Sequence, residues 1–336
     1  MEQQVLQVRR SRSKSRTGTA NIAVLGAGGL GMAAARMLTQ KKEMRLSAIA
    51  DKTGFVIEPE GIDPQALVDK KPGDIGTRTD DAIGEIIRNS HEFDGIFIAL
   101  PNLTDDFIPD VASRFAEHGY SGVMVDALKR SGAVEMIFKR DDELKQSGIT
   151  YITGAGATPG LLTCAAALAA NSFIEVLGVD INFGVGVSNW ESYRATIRED
   201  IAHLDGFDLD MAARMTCAEI KDELDQRCGI LRLGNMEHAD DVLLERAGIV
   251  SREKVSVGGV VDTRNPKKPV STTMTLRGRT FDGAVSSHRF ILGDETTMAA
   301  NVVGPALGWM KAGLEFHARG IFGVFGSAEI MPRFVR

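Results

Sequence analysis

Two groups of residues in this chain have the types and spacing to do chemistry. The first is Gly26-Ala27-Gly28-Gly29-Leu30-Gly31, a G-x-G-x-x-G run. In such a run the first glycine allows a tight turn, the second lets the backbone approach a pyrophosphate, and the third lets the next helix lie close to the preceding strand. The second is Lys129, just past the apolar residues 122–125 and Asp126. A lysine amine attacks a carbonyl only when neutral, and at its ordinary pKa roughly one molecule in a few thousand is neutral at pH 7. Burial and the adjoining cation Arg130 would lower that pKa, whereas Asp126 would oppose them if its side chain is near. On spacing alone the plainer reading, a solvated lysine at a strand end, carries more weight.

The surrounding elements must position these groups. Residues 21–25 read as an apolar strand directly before the glycine run, and residues 32–40 as a helix rich in Ala, Met and Leu directly after it. The unpaired amides and dipole of that helix would face phosphates. A second strand, residues 46–50, ends at Asp51, where a carboxylate can accept hydrogen bonds from adenosine ribose hydroxyls and favour NAD over NADP. Lys52 pulls the other way, so the cofactor is read as NAD or NADP. With 36 glycines in the chain the bare motif is weak evidence, but strand, helix and Asp together make it strong.

Further on, helices over 81–89, 107–118 and 133–146 alternate with strands over 94–100, 122–125 and 149–153, as a doubly wound parallel sheet requires. Leu100 ends one strand and Pro101 and Asn102 follow it, and Ala127 and Gly154 lie beyond the ends of the next two, positions that line the cofactor crevice of an open α/β sheet. Residues 154–160 form a second glycine-rich turn, readable also as the mere start of a helix linking two domains. Beyond residue 175 the pattern changes to strands over 179–183, 255–261, 271–280 and 284–292, with Asp282-Gly283 as a hairpin turn and two charged helical stretches over 190–250. A long helix over 295–319 is expected to pack back on the first domain. The prediction is an α/β fold, a doubly wound parallel Rossmann sheet with a second mixed α+β domain. The division is a disordered basic arm (1–19), a dinucleotide domain (20–160 with part of 295–336) and a substrate domain (161–294).

Composition bounds the function. A net charge of -6, with 43% hydrophobic and 25% charged residues, argues against a general nucleic-acid binder. The longest apolar stretch, 161–170, is too short to span a bilayer. Cys164, Cys217 and Cys228 lack C-x-x-C spacing, so neither a disulfide framework nor a metal site is expected, and a cytoplasmic setting fits. The one compact His/carboxylate group, His238 with Asp240 and Asp241, reads for metal purposes as a solvated helix start. The arm with Arg9, Arg10, Arg12, Lys14 and Arg16 has no apolar core of a secretory signal.

The fingerprint, Leu100-Pro101-Asn102, the turn at 154–160 and Gly293-Asp294-Glu295-Thr296-Thr297 together resemble the saccharopine-dehydrogenase-like oxidoreductases. More closely, Val125-Asp126-Ala127-Leu128-Lys129-Arg130, Phe183-Gly184-Val185-Gly186 and Asn189-Trp190-Glu191-Ser192-Tyr193-Arg194 are similar to the BioU-type family over residues 20–336. These are single-turnover 8-amino-7-oxononanoate synthases of biotin biosynthesis. A lysine in this loop separates them from ordinary saccharopine reductases. The resemblance implies that Lys129 condenses with the ketone of 8-amino-7-oxononanoate, that NAD(P)H reduces the imine, and that bicarbonate or CO2 carboxylates the neighbouring amine. Reoxidation on the lysine side then leaves the nitrogen on the product and allysine on the protein.

Such a substrate needs a cation for its carboxylate and an apolar lining for its methylenes. Arg194 and Arg198, four apart beside Trp190 and Tyr193, could supply the cation, or form an exposed face paired to Glu191 or Glu199. Asp200 and His203 on the same helix, and His238, are candidates for proton transfer around the imine. The basic loop with Arg264, Lys267 and Lys268 reads as solvated. Two other functions compete: a conventional NAD(P)-dependent reductase of an amino acid or imine with Lys129 as acid/base, and a non-catalytic NAD(P)-sensing module. A homo-oligomer is compatible with all three.

Overall fold

The computed structural model describes residues 18–187, 189–293 and 298–336. The basic arm up to residue 17 and residues 294–297 lie outside them. The first half runs β1 (Ala20–Leu25), α1 (Gly29–Leu38), β2 (Met44–Asp51), β3 (Gly54–Ile57), β4 (Thr77–Arg78), α2 (Ala82–Arg88), β5 (Gly95–Ile98), α3 (Phe107–Glu117), β6 (Val123–Asp126), α4 (Ser131–Phe138), α5 (Asp141–Gln146), β7 (Thr150–Thr153) and α6 (Leu161–Ala170). It continues through β8 (Glu175–Gly186), α7 (Arg194–Ile201), α8 (Leu209–Arg214), α9 (Cys217–Gln226), β9 (Ile230–Leu233), α10 (Asp240–Arg246), β10 (Val255–Asp262), β11 (Thr273–Arg279), β12 (Val285–Ile291), α11 (Met298–Ala318) and β13 (Gly323–Gly326).

Two sheets result. The first has the order β13-β7-β6-β5-β1-β2-β3-β4 and is parallel from β13 to β2. Strands β3 and β4 extend it antiparallel beyond Asp51, in a stretch for which the sequence predicted no strand. The alternating burial of Gly54-Phe55-Val56-Ile57 explains the addition. The second sheet, β12-β11-β8-β10-β9, is mixed, with β8 and β10 parallel. The expected helix over 133–146 is two helices, α4 and α5. Asp141, Asp142 and Glu143 crowd the first turn of α5, where negative charge favours a fresh N-terminus.

Strands β1, β5, β6 and β7 are buried on both faces, as parallel strands between helical layers must be. One layer includes α1 and α11, whose fully buried Trp309 donates its indole N–H to the Ile330 carbonyl at 2.7 Å. The other includes α2, α3 and α4. The second sheet has its own apolar core against α6 and α7.

Strand order reverses at β1, which lies between β2 and β5, and the crevice beyond the carboxyl ends of β1 and β5 is where such sheets bind ligands. The glycine turn is fitted to that place. Gly26 has φ +105°, and a Cβ on it would lie 2.4 Å from the Ala99 carbonyl oxygen after β5. A Cβ on Gly31 would lie 1.8 Å from the Gly26 carbonyl oxygen, so α1 closes on the turn only with glycine there.

A second constraint fixes the loop after β6. Asp126 is fully buried, and its Oδ1 accepts bonds from the Leu128 amide (2.9 Å), the Gly154 amide (2.8 Å) and the Thr153 hydroxyl (3.1 Å). Burial pushes this carboxyl up, and the donors partly offset that. The loop carrying Lys129 is thereby tied to the end of β7.

Two outcomes are expected. Gly31→Ala should cost about 1–3 kcal/mol of stability through overpacking and should abolish dinucleotide binding, as read by thermal denaturation with and without nucleotide. Asp126→Leu, which strands three donors, should lower the thermal midpoint by more than Asp126→Asn, which keeps an acceptor oxygen. Each stranded buried donor is worth about 1–3 kcal/mol.

Candidate active site

Lys129 does not end in solvent. From the loop after β6 its side chain crosses to α7, where Nζ lies 2.8 Å from Glu199 Oε2 and 3.6 Å from Asp200 Oδ1. Burial pushes the amine's pKa down, but the two carboxylates outweigh it and hold the lysine above its usual range. This corrects the expectation of a depressed pKa. Arg130 does not help, because its guanidinium pairs with Asp105 at 2.9 Å, and Asp126 faces inward to its own donors. Burial raises the Asp200 carboxyl, with Lys129 opposing. Glu199 was missed as a site residue. Its signal was its adjacency to Asp200 on one helix; the sequence reading gave Asp200 a role in proton transfer but took Glu199 only as a partner for the arginines.

His238 is also corrected. It is 4% exposed rather than solvated, and its Nδ1 lies 2.7 Å from Oδ2 of the fully buried Asp240. Asp240 in turn accepts from the Thr158 hydroxyl (2.7 Å) and the Thr163 hydroxyl (2.5 Å). This arrangement orients the imidazole and favours the tautomer that leaves Nε2 as an acceptor. The segment is buried because it docks on the lysine loop. The Ala239 amide donates to the Lys129 carbonyl at 2.8 Å, and Glu237 accepts from the Ser131 amide at 2.7 Å.

Two cavities meet at Lys129, which lines both. The larger, about 990 Å³, lies between the strand-order reversal and the second sheet. Of the expected cofactor residues it is lined by Gly26, Ala27, Gly28, Gly29, Leu30, Asp51, Lys52, Leu100, Pro101 and Ala127, and on its far side by Thr158, Asp200, Met236 and His238. Tyr193 reaches it too. Its ring lies 3.4 Å from where a Gly29 Cβ would stand, against the glycine turn.

The remaining candidates lie elsewhere. Gly31 is packed beneath the turn, and Gly154, at φ +67°, is packed against Pro159 and Leu243. Asn102 turns to the second cavity, of about 650 Å³, together with Arg130, Arg198 and Glu199. Arg194 lines neither cavity. His203 also lines neither, with its Nδ1 2.7 Å from the Glu199 carbonyl oxygen. Burial pushes the Cys164 thiol up to about 11, which disfavours its thiolate. Among the described residues no cluster of three or more His, Cys, Asp or Glu side chains could hold a metal ion, and no helix is long and apolar enough to cross a membrane.

The larger cavity fits a dinucleotide. The space where a Gly28 Cβ would stand has no atom within 4 Å, so backbone amides at the start of α1 can be approached closely. Asp51 engages Thr53 through Oδ1 alone, at 2.8 Å to the amide and 2.6 Å to the hydroxyl. Its other oxygen remains for a ribose.

Comparison with known proteins agrees with this architecture. Residues 4–90 match the model of the Glutamate/Leucine/Phenylalanine/Valine dehydrogenase family. The diaminopimelate (DAP) dehydrogenase of C. glutamicum, solved with DAP, superposes with a TM-score of 0.58 at 15% identity, over 94% of this chain and 95% of that one. A mutant meso-DAP dehydrogenase from Clostridium tetani E88 gives 0.55 at 14% identity, over 93% and 95%. These likenesses establish the fold. A relative in Haloferax mediterranei, the (S)-8-amino-7-oxononanoate synthase BioU, is 45% identical over 94% of this chain and 99% of its own length. A likeness of that depth, sustained from end to end, makes the chain a member of the BioU family.

Proposed function

We propose that the protein serves biotin biosynthesis as a single-turnover amino donor, with Lys129 as the nitrogen source. The observation that carries this reading is the position of Lys129 at the meeting of two cavities, held by a carboxylate pair able to take its proton.

The residues of the glycine turn, Asp51, Lys52, Leu100, Pro101 and Ala127 would hold NAD or NADP. When bound, its nicotinamide supplies and later takes back a hydride. The chain's own residues do the rest. Entry of the ketone of 8-amino-7-oxononanoate moves the Lys129 proton to Asp200, and the freed Nζ attacks the carbonyl carbon. Loss of water gives an imine, and two-electron reduction gives a secondary amine between protein and substrate. His238, oriented by Asp240, offers Nε2 as a proton carrier for the water lost and later regained. After bicarbonate or CO2 has carboxylated the substrate's neighbouring amine, two-electron oxidation on the lysine side places the double bond at the lysine carbon. Hydrolysis then releases the diaminopelargonate carbamate and leaves allysine. The two redox steps cancel, and the protein is the consumed reagent.

One observation favours a second reading. A lysine held protonated is also a proton donor, as a conventional NAD(P)-dependent imine or amino-acid reductase would need.

Peptide mass analysis around Lys129 separates the two. After 8-amino-7-oxononanoate, bicarbonate and NAD(P)H, followed by oxidised cofactor, a covalent adduct and then the aldehyde are expected. An intact lysine after many turnovers would leave the reductase. The carboxylate pair makes a separate prediction, read by labelling with formaldehyde and cyanoborohydride across pH. Carboxylates that raise the pKa keep the amine charged to higher pH, so in wild type Lys129 should need a higher pH to label than the exposed lysines do. In the Glu199→Gln/Asp200→Asn double variant the profile should move to lower pH. A profile that stays in place would remove the pair from control of the amine.

A further inference from the structure

The smaller cavity shares Leu30, Leu100, Pro101 and Ala127 with the larger one and extends past Lys129 to Arg198, where no occupant is assigned. Glu199 lines only the smaller cavity and Asp200 only the larger, so the two carboxylates that clamp Lys129 stand on opposite sides of it. Within the smaller cavity the cations are not equivalent. Lys129 has Glu199 and Arg130 has Asp105. Arg198 has no carboxylate at ion-pair distance among the described residues. Its Nη2 donates to the Met215 carbonyl at 2.6 Å, and its buried Nε has no partner. The buried Asn102 Nδ2 and Arg130 Nε at the same cavity are also unpartnered. The lining is mixed, with apolar Leu100, Leu103, Ile108, Leu128, Leu209 and Ala212 beside the carboxylates of Asp105 and Asp210.

A half-buried guanidinium without a counter-ion, beside apolar side chains, is costly unless an anion completes it. A single carbonyl does not neutralise it, and a neutral donor would have served Met215 as well. Cation and apolar lining together suit an acyl chain that ends in a carboxylate. We propose that the smaller cavity receives the carboxylate-bearing chain of the substrate and that Arg198 binds its carboxylate. The chain then leaves Lys129 on the side of Arg198 and Glu199 rather than on that of Asp200. This placement rests on the amino-donor reading and adds a direction to it. The ketone sits at the throat, and only the amine-bearing end of the substrate faces the larger cavity.

The test uses nonanoate, a chain of the same length without ketone or amine, titrated calorimetrically into the full chain with oxidised cofactor present. Wild type should bind nonanoate about tenfold or more tightly than methyl nonanoate, the margin expected for a charge-assisted bond. Arg198→Gln should lose that preference by weakening nonanoate alone, while Arg194→Gln binds as wild type. Should Arg198→Gln fail to fold, Ala213→Trp on the exposed rim should block nonanoate without touching the guanidinium. Nonanoate that does not bind wild type, or binds Arg198→Gln equally well, overturns the proposal. Adduct formation judges the donor reading separately. An adduct whose half-saturating substrate concentration is unchanged in Arg198→Gln defeats the chain site alone. Arg198-dependent nonanoate binding in a protein that forms no adduct defeats the donor reading alone.

Discussion

An ammonium from one sheet's loop, shared by two carboxylates on a helix of the other sheet's layer, is the contact on which the site depends. Lys129 stands after β6 and Glu199 and Asp200 on α7, so their pairing spans the seam between the layers. Breaking this partly buried pair from one side leaves an uncompensated charge beside the buried Asp200, which costs more than losing a surface bridge. The pairing therefore fixes where α7 lies over the first sheet, and with it the two cavities on either side of the lysine. The backbone bond from Ala239 to the Lys129 carbonyl adds the third wall, bringing His238 to the same place.

The same contact sets a chemical problem and supplies its answer. Carboxylates that hold an amine protonated oppose nucleophilic attack, yet one of them is buried deeply enough to prefer a proton when the ammonium no longer balances it. Transfer within the pair needs no water and little movement. In the proposed donor reaction such an arrangement would protect the lysine, because a free amine in an open cavity would meet any small aldehyde or ketone that entered.

Legibility followed distance along the chain. The glycine turn, the strand before it, the helix after it and Asp51 are local, and sequence spacing described them correctly. So did the alternation of strands and helices, because buried parallel strands are short apolar runs wherever they occur. The clamp on Lys129 was not legible, since Glu199 and Asp200 come from a helix that only the packed fold brings near. His238 and Asp240 were visible as a compact group, but their burial depends on docking against Ser131 and Lys129, which no local pattern encodes. Strands β3 and β4 were hidden by brevity, and Arg198 stood out only once its neighbours proved already paired.

The sheet topology also bears on how the molecule is made. Strand β13 pairs in register with β7, yet the whole second sheet and α11 lie between them in the chain. During synthesis the first sheet can assemble from β1 through β7 and bury much of its core, but one flank of β7 stays without its neighbour until the second layer has emerged. An unpaired parallel edge invites association with other chains, and pairings between distant segments form slowly. Nascent chains interrupted before residue 323 would expose that edge, so recognition by chaperones should concentrate on the interval between completion of β7 and arrival of β13.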